Sequence, residues 1–238
     1  MSTPPPPSTT TTPLPPSSST FPFPREYSFP PFFTRQTNLT THHAQLTKWA
    51  ALVLAYCRHH RLFKLSLSGN PPTSTTTTTT GILPLTSTTT PAAGNKPDSP
   101  RDTRELFHNP HLNRSLSLSD IREVIAFLRK DGRAEYIISP TSNTTDGGGA
   151  NDNEGGDIVW IYWRTPEEWA SLVESWVEGT GQKGTVFTVY ELVEGEGTRG
   201  SDFHGLDQEL LLKALNVLVK RGKAQIFGQE DSLGVKFF

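Results

Sequence analysis

The sequence predicts an α+β protein, with two small helix-and-hairpin units in series behind a proline-stiffened aromatic arm. Three observations predict it. Apolar residues recur at helical spacing in four separate segments. Two pairs of β-rich runs each follow a glycine that stops a helix. One helix-to-strand junction also occurs twice: Leu128–Glu135 (LRKDGRAE) matches Leu218–Gln225 (LVKRGKAQ), a displacement of 90 residues from Gly132 to Gly222.

Composition bounds the rest. The 238 residues include 20 Pro and 19 Gly and are only 34% hydrophobic, but the shortage of core material is local. Residues 2–20 are Pro, Ser and Thr apart from Leu14. Residues 68–103 are almost as biased, and 140–157 are mostly Gly, Asn, Asp, Ser and Thr. Such stretches bury too little apolar surface to offset the entropy of ordering them. Without them about 165 residues remain, enough for one large domain or two small ones. The organisation read from this is a disordered tail at 1–20, an extended docking arm at 21–36, a first domain at 37–164 with inserts at 68–103 and 140–157, and a second domain at 165–238.

A net charge of −2 provides no general basic field for nucleic acid or acidic lipid. The single cysteine, Cys57, excludes an intramolecular disulfide framework and a cysteine-rich zinc site. The longest apolar run, Trp49–Cys57, is too short to span a bilayer. No basic residue precedes Arg25 and no apolar stretch follows Met1, so no secretory signal is read. A soluble intracellular protein is expected.

Along the chain, the arm comes first. Phe21, Phe23, Tyr27, Phe29, Phe32 and Phe33 alternate with Pro22, Pro24, Pro30 and Pro31. Proline blocks helix and central strand, so an extended segment is expected. Six rings on such a segment need burial, either against their own domain or in pockets on another protein. A first helix is read over 40–64, capped by Thr40 or Thr41, with Leu46, Trp49, Ala50, Val53 and Cys57 on one apolar face. Cys57 reads as a small core residue. His42, His43, His59 and His60 lie at its two ends, too far apart to share a metal, and are read as solvent-facing.

Leu106, Phe107 and Leu112 indicate a short packed helical turn. Ser117 with Asp120 resembles a capping box. Ile121, Val124, Ile125 and Leu128 then follow at helical spacing, and Gly132 stops the helix. Residues 133–139 and 158–164 read as a hairpin whose loop has been lengthened, which is tolerable because closure entropy grows only slowly with length. Thr165, Pro166 and Glu168 form a strong helix start. Trp169, Leu172, Val173 and Trp176 make that helix's apolar face, and Gly179 and Gly181 end it. Thr188 and Glu191 start a short helix. Asp207 caps another, with Leu210, Leu211, Ala214, Leu215 and Leu218 inward and Gly222 as its stop. A last hairpin turns between Gly228 and Gly234.

Each unit therefore reads as helix, short helix, capped helix, glycine stop and hairpin, the order of a winged helix. Winged helices often read DNA with their third helix. Here residues 119–131 balance Arg122, Arg129 and Lys130 against Asp120, Glu123 and Asp131. Residues 207–221 set Lys213, Lys220 and Arg221 against Asp207 and Glu209. Near-neutral helices favour protein-binding modules over DNA readers. Arg122 and Arg129 share one outward stripe, either a solvated face or a partner contact. A winged-helix DNA-binding transcription factor is the alternative. Catalysis is not expected: no Walker-type loop or EF-hand spacing occurs, and Cys57 has no partnered histidine in the sequence.

In FPFPREYSFPPFF, QLTKWAALVLAYCR, WRTPEEWASLVESWV, VFTVYEL, FHGLDQELLLKAL and the terminal GVKFF, the chain resembles the vacuolar protein sorting-associated protein 25 family, the small subunits of the ESCRT-II endosomal sorting complex. The resemblance covers Phe21 to Phe238 apart from the inserts. It implies a non-catalytic tandem winged-helix scaffold without cofactors, cytoplasmic and peripheral on endosomal membranes, acting in multivesicular-body sorting of ubiquitinated cargo. The family's Pro-Pro-x-Phe arm docks the other two ESCRT-II subunits, of the vacuolar protein sorting 22 and 36 types. Carried over, Pro30, Pro31 and Phe33 fit that motif, with Tyr27, Phe29 and Phe32 beside them. Apart from the resemblance, the outward stripe makes Arg129 a further partner-binding candidate. The second winged helix would recruit an ESCRT-III subunit of the vacuolar protein sorting 20 type.

Overall fold

A computed structural model describes residues 21–67, 104–137, 156–228 and 233–238. The 1–20 tail, the 68–103 insert and most of the 140–157 loop lie outside the described residues.

Helix α1 spans Leu39–His60. Its cap is Asn38, not Thr40 or Thr41: the Asn38 side chain accepts from both of those residues' amides, at 2.9 and 3.2 Å. The helix ends four residues earlier than read, because Arg61 turns left-handed (φ 52°) and frees the chain to enter strand β1, Lys64–Ser66. The short turn α2, Arg104–Phe107, is followed by a small ladder of β2, His108–Asn109, and β3, Arg114–Ser115.

Helix α3, Leu118–Lys130, is capped by Ser117 Oγ, which accepts from the Asp120 amide. Asp120 is a methylene shorter than the glutamate of a full capping box, and its carboxylate takes the Ser117 hydroxyl at 2.5 Å. Gly132 follows at φ 66°. Strands β4, Ala134–Tyr136, and β5, Ile158–Ile161, then pair antiparallel as read.

The second half repeats this order without the β2–β3 ladder. Helix α4, Pro166–Gly179, begins with a complete capping box between Thr165 and Glu168. Strand β6, Val186–Thr188, leads into α5, Val189–Glu194, through a second box between Thr188 and Glu191. Helix α6, Gln208–Lys220, is capped by Asp207 and stopped by Gly222 at φ 70°. Strands β7, Ala224–Phe227, and β8, Gly234–Phe237, close the chain. The sheets run β1-β5-β4 and β6-β8-β7, so in each the last strand of the unit lies in the middle. The sequence reading missed β1 and β6, the opening strand of each sheet.

Strand β5 joins the halves. Its side chains alternate between faces. Val159 and Ile161 enter the first core with Val53, Leu65 and Ile125. Trp160 and Tyr162 enter the second with Val173, Leu211 and Leu215, joined there by Phe63. Polar contacts reinforce this seam. Lys64 lies over the Trp160 ring at 4.4 Å and pairs with Asp207 and Glu209 at 3.2 and 2.9 Å. Glu135 Oε2 accepts from Tyr162 Oη and Lys213 Nζ, both at 2.6 Å. Burial tends to raise the Glu135 pKa, but the bonds from Lys213 and Tyr162 outweigh it and hold the carboxyl below its usual range. Arg61 donates to the carbonyls of Asp202 and His204.

Cys57 is fully buried, as read, and burial pushes its thiol pKa up to about 12. His42 departs from the solvent-facing expectation. It is buried where α1 meets α3, with Nε2 3.4 Å from Glu123 Oε1. No helix among the described residues is long and apolar enough to cross a membrane.

Candidate functional site

The arm is not extended. Its prolines set φ for two successive 3-10 turns, Arg25–Ser28 and Pro30–Phe33, each closed by bonds such as the Phe32 amide to the Phe29 carbonyl at 2.9 Å. These turns fold the aromatic side chains back onto α1. The Phe32 ring stacks on Trp49, with centroids 4.3 Å apart and planes 5° from parallel. Phe33 meets Trp49 edge-on at 5.4 Å and Tyr27 at 5.3 Å. Phe23 stacks on Tyr27 at 4.0 Å, and Phe21 packs edge-on against Tyr56.

Polar bonds fix the same geometry. Tyr27 Oη donates to the Glu105 carbonyl and, at 3.0 Å, lies within bonding distance of the His108 carbonyl. Burial, with the Glu105 carboxylate as a lesser cause, pushes the Tyr27 phenol up to about 12. Asn109 Nδ2 donates to the Tyr27 carbonyl at 2.7 Å. The Phe32 carbonyl accepts from Trp49 Nε1 and Gln45 Nε2, at 3.0 and 2.7 Å. Backbone that a proline-rich segment leaves without a ladder is thus satisfied by side chains of α1 and β2. Lys48 pairs with Glu26, and Arg35 with Glu123, at the two ends of the arm.

The six candidate residues of the arm therefore divide into two sets. Tyr27, Phe32 and Phe33, each 6% exposed, belong to the chain's own core. Phe29 is 59% exposed, and Pro30 and Pro31 are exposed beside it. Of the two alternatives left open for the rings, burial against their own domain holds for Tyr27, Phe32 and Phe33. The alternation of ring and proline could not distinguish the two sets, because the partner ring, Trp49, lies on a helix farther along the chain. What remains outside is a compact apolar knob, Phe29-Pro30-Pro31, on a backbone that is already ordered. Such a knob loses little entropy on docking.

Arg129 lies elsewhere. It is exposed near the end of α3, with its guanidinium 5.0 Å from the Tyr136 ring centre. Sequence reasoning singled out no exposed apolar residues on the second unit. The structure leaves Val186 and Tyr190, on β6 and α5, 51% and 72% exposed. Their signal was present but faint: both sit in VFTVYEL, where the capping pair dominated the reading. Among the described residues no group of three or more metal-ligating side chains comes together.

A family profile described as "ESCRT-II complex subunit" matches residues 26–207. The vacuolar protein-sorting-associated protein 25 of Xenopus laevis is 35% identical over 216 residues, covering 91% of this chain and 98% of its own length. The Homo sapiens protein of that name is 36% identical and the Dictyostelium discoideum protein 32%, again over 91% of this chain and over 97% and 95% of their own. The crystal structure of subunit VPS25 of ESCRT-II superposes with a TM-score of 0.65 at 25% identity, covering 91% of this chain and 98% of that one. A chain in the crystal structure of the VPS22/VPS25/VPS36 complex gives 0.63 at 27%, covering 90% and 98%. A duplicated helix-and-hairpin architecture, an aromatic-proline arm seated on its first helix and relatives matched over nearly their whole length lead to one conclusion: this chain belongs to the ESCRT-II complex subunit family, alongside the vacuolar protein-sorting-associated proteins 25.

Proposed function

We propose that this chain is the non-catalytic small scaffold subunit of an ESCRT-II complex, cytoplasmic and peripheral on endosomal membranes, acting in multivesicular-body sorting. Its two units are tandem winged helices. The matching element order and the shared strand order of the two sheets support that assignment. They correspond to domains at 37–164 and 165–238, with β5 of the first forming a wall of the second core. The arm docks the vacuolar protein sorting 22- and 36-type subunits, the partners named with VPS25 in the solved complex.

The observation that carries this reading is the exposed Phe29-Pro30-Pro31 knob on a rigid seat. An exposed ring followed by two prolines makes a good anchor for an apolar pocket. The second unit recruits an ESCRT-III subunit of the vacuolar protein sorting 20 type; the exposed Val186 and Tyr190 give it an apolar surface for that purpose. The nucleic-acid alternative has less support. Of the cations on and just after α6, Lys213 is paired with Glu135 at the seam and Arg221 lies 3.6 Å from Glu174.

The test is co-expression with the two larger subunits. Changing Phe29→Ala should sharply reduce co-purification and leave the melting curve of the isolated chain in place. Assembly at the wild-type yield would refute the docking reading.

A further inference from the structure

A cleft of about 790 Å³ opens between the two units, lined by no residue of the arm, of β6 or of α5. Helix α1 contributes Leu54 and Arg58, and not the Trp49 and Tyr56 that seat the arm. From the seam come Arg133, Trp163 and Arg164. Helix α4 supplies Glu167, Glu168 and Leu172, and Arg221 follows α6.

The charges do not cancel. Arg133 is consumed by Glu168, which takes its guanidinium with both oxygens at 2.9 and 3.2 Å while also serving the helix cap. That leaves Arg58, Arg164 and Arg221 against Glu167. Among the described residues Arg58 makes no ion pair. Arg164 is paired with Asp202, whose side chain is 59% exposed, and Arg221 shares Glu174 with Lys223. The Arg164 and Glu174 side chains are half-buried and the Arg164 guanidinium also lies 5.1 Å from the Trp169 ring centre, but each pair has one partner open to water and can exchange it for a better anion. Between the guanidinium groups lies apolar surface from Leu54, Trp163 and Leu172, all half-buried.

We infer that this cleft binds a short acidic peptide segment carrying an apolar side chain. The excess of guanidinium groups selects carboxylates, which arginine can engage with two parallel bonds. The apolar surface between them selects a leucine-like side chain. A flat lipid surface does not enter a concave cleft between two units, and Glu167 and the chain's net charge of −2 disfavour a polyphosphate. The inference stands apart from the arm's docking role, because the residues are different.

The experiment is fluorescence anisotropy on the full chain. The probe is a short labelled peptide of aspartate and glutamate with two central leucines. Saturable binding that weakens with salt is expected. Arg58→Glu with Arg221→Glu should weaken it at least tenfold with an unchanged melting temperature, and Glu167→Gln should tighten it. If the double variant folds poorly, Arg58→Glu alone and Glu167→Gln still give opposite shifts. The same affinity in the Arg58→Glu chain overturns the proposal. So does equal binding of a leucine-free acidic peptide, or of inositol hexakisphosphate, which would mark an anion site without peptide selectivity. An arm variant that abolishes ESCRT-II assembly should leave this binding unaltered, so the two readings fail separately.

Discussion

Two phenylalanines four residues apart should separate folding from assembly. Phe33 is 6% exposed and touches Tyr27, Phe32 and Trp49, whereas Phe29 is 59% exposed. Truncating a buried phenylalanine to alanine costs about 3–5 kcal/mol, since the cavity adds to the lost transfer energy. With a urea dependence of about 2 kcal/mol per molar, Phe33→Ala should lower the unfolding midpoint by about 1.5–2.5 M. A single transition is expected, because β5 walls both cores. Phe29→Ala should change stability by no more than the ~0.5 kcal/mol typical of surface changes, about 0.25 M in the midpoint.

Assembly should order the two variants the other way. A central aromatic anchor is worth about 2 kcal/mol, or roughly thirtyfold in affinity. Phe29→Ala should therefore lose about that much for the larger subunits while staying folded. Urea titration by circular dichroism and a pull-down at matched folded concentration read the two effects. An unchanged midpoint for Phe33→Ala together with lost co-purification would refute the reasoning, because it would place the Phe33 ring in a partner's pocket and not in this chain's core.

Two further predictions concern stability. Thr165→Ala should cost about 1 kcal/mol by removing the hydroxyl that caps α4, seen as a lower urea midpoint. Glu135 and Glu168 have folded pKa values below the ordinary glutamate value of 4.5, so both bind protons more readily in the unfolded chain. The stability they contribute is full above about pH 4.5 and is lost as pH falls through their folded values. Unfolding midpoints measured from pH 7 to pH 3 should fall in that window, and less steeply in Glu135→Gln; an identical slope in that variant would refute the role of the seam carboxylate.

The relation between sequence and structure differs by element. Caps and stops were legible because they are local: Thr165 with Glu168, Thr188 with Glu191, Asp207, Gly132 and Gly222 each act on backbone within a few residues. Asn38 obeys the same rule and was overlooked beside two threonines. The duplication was also legible, since Gly132 and Gly222 stop α3 and α6 at equivalent places. At the arm, the sequence marked an aromatic-proline segment without deciding which of its side chains are buried and which are exposed.

What the amino-acid order determined by itself, then, was the set of elements and their repeat, because periodicity and capping are encoded over one or two helical turns. Tertiary structure alone decided the rest. Strands β1 and β6, three residues each, exist only because a distant strand supplies their hydrogen bonds. The two faces of β5 serve two cores only because two units pack against it. Tyr27, Phe32 and Phe33 are core, and Phe29 is surface, because Trp49 and Asn109 happen to stand where the arm folds back. Burial is a property of what lies opposite a side chain, and that neighbour is fixed only when the whole chain has closed.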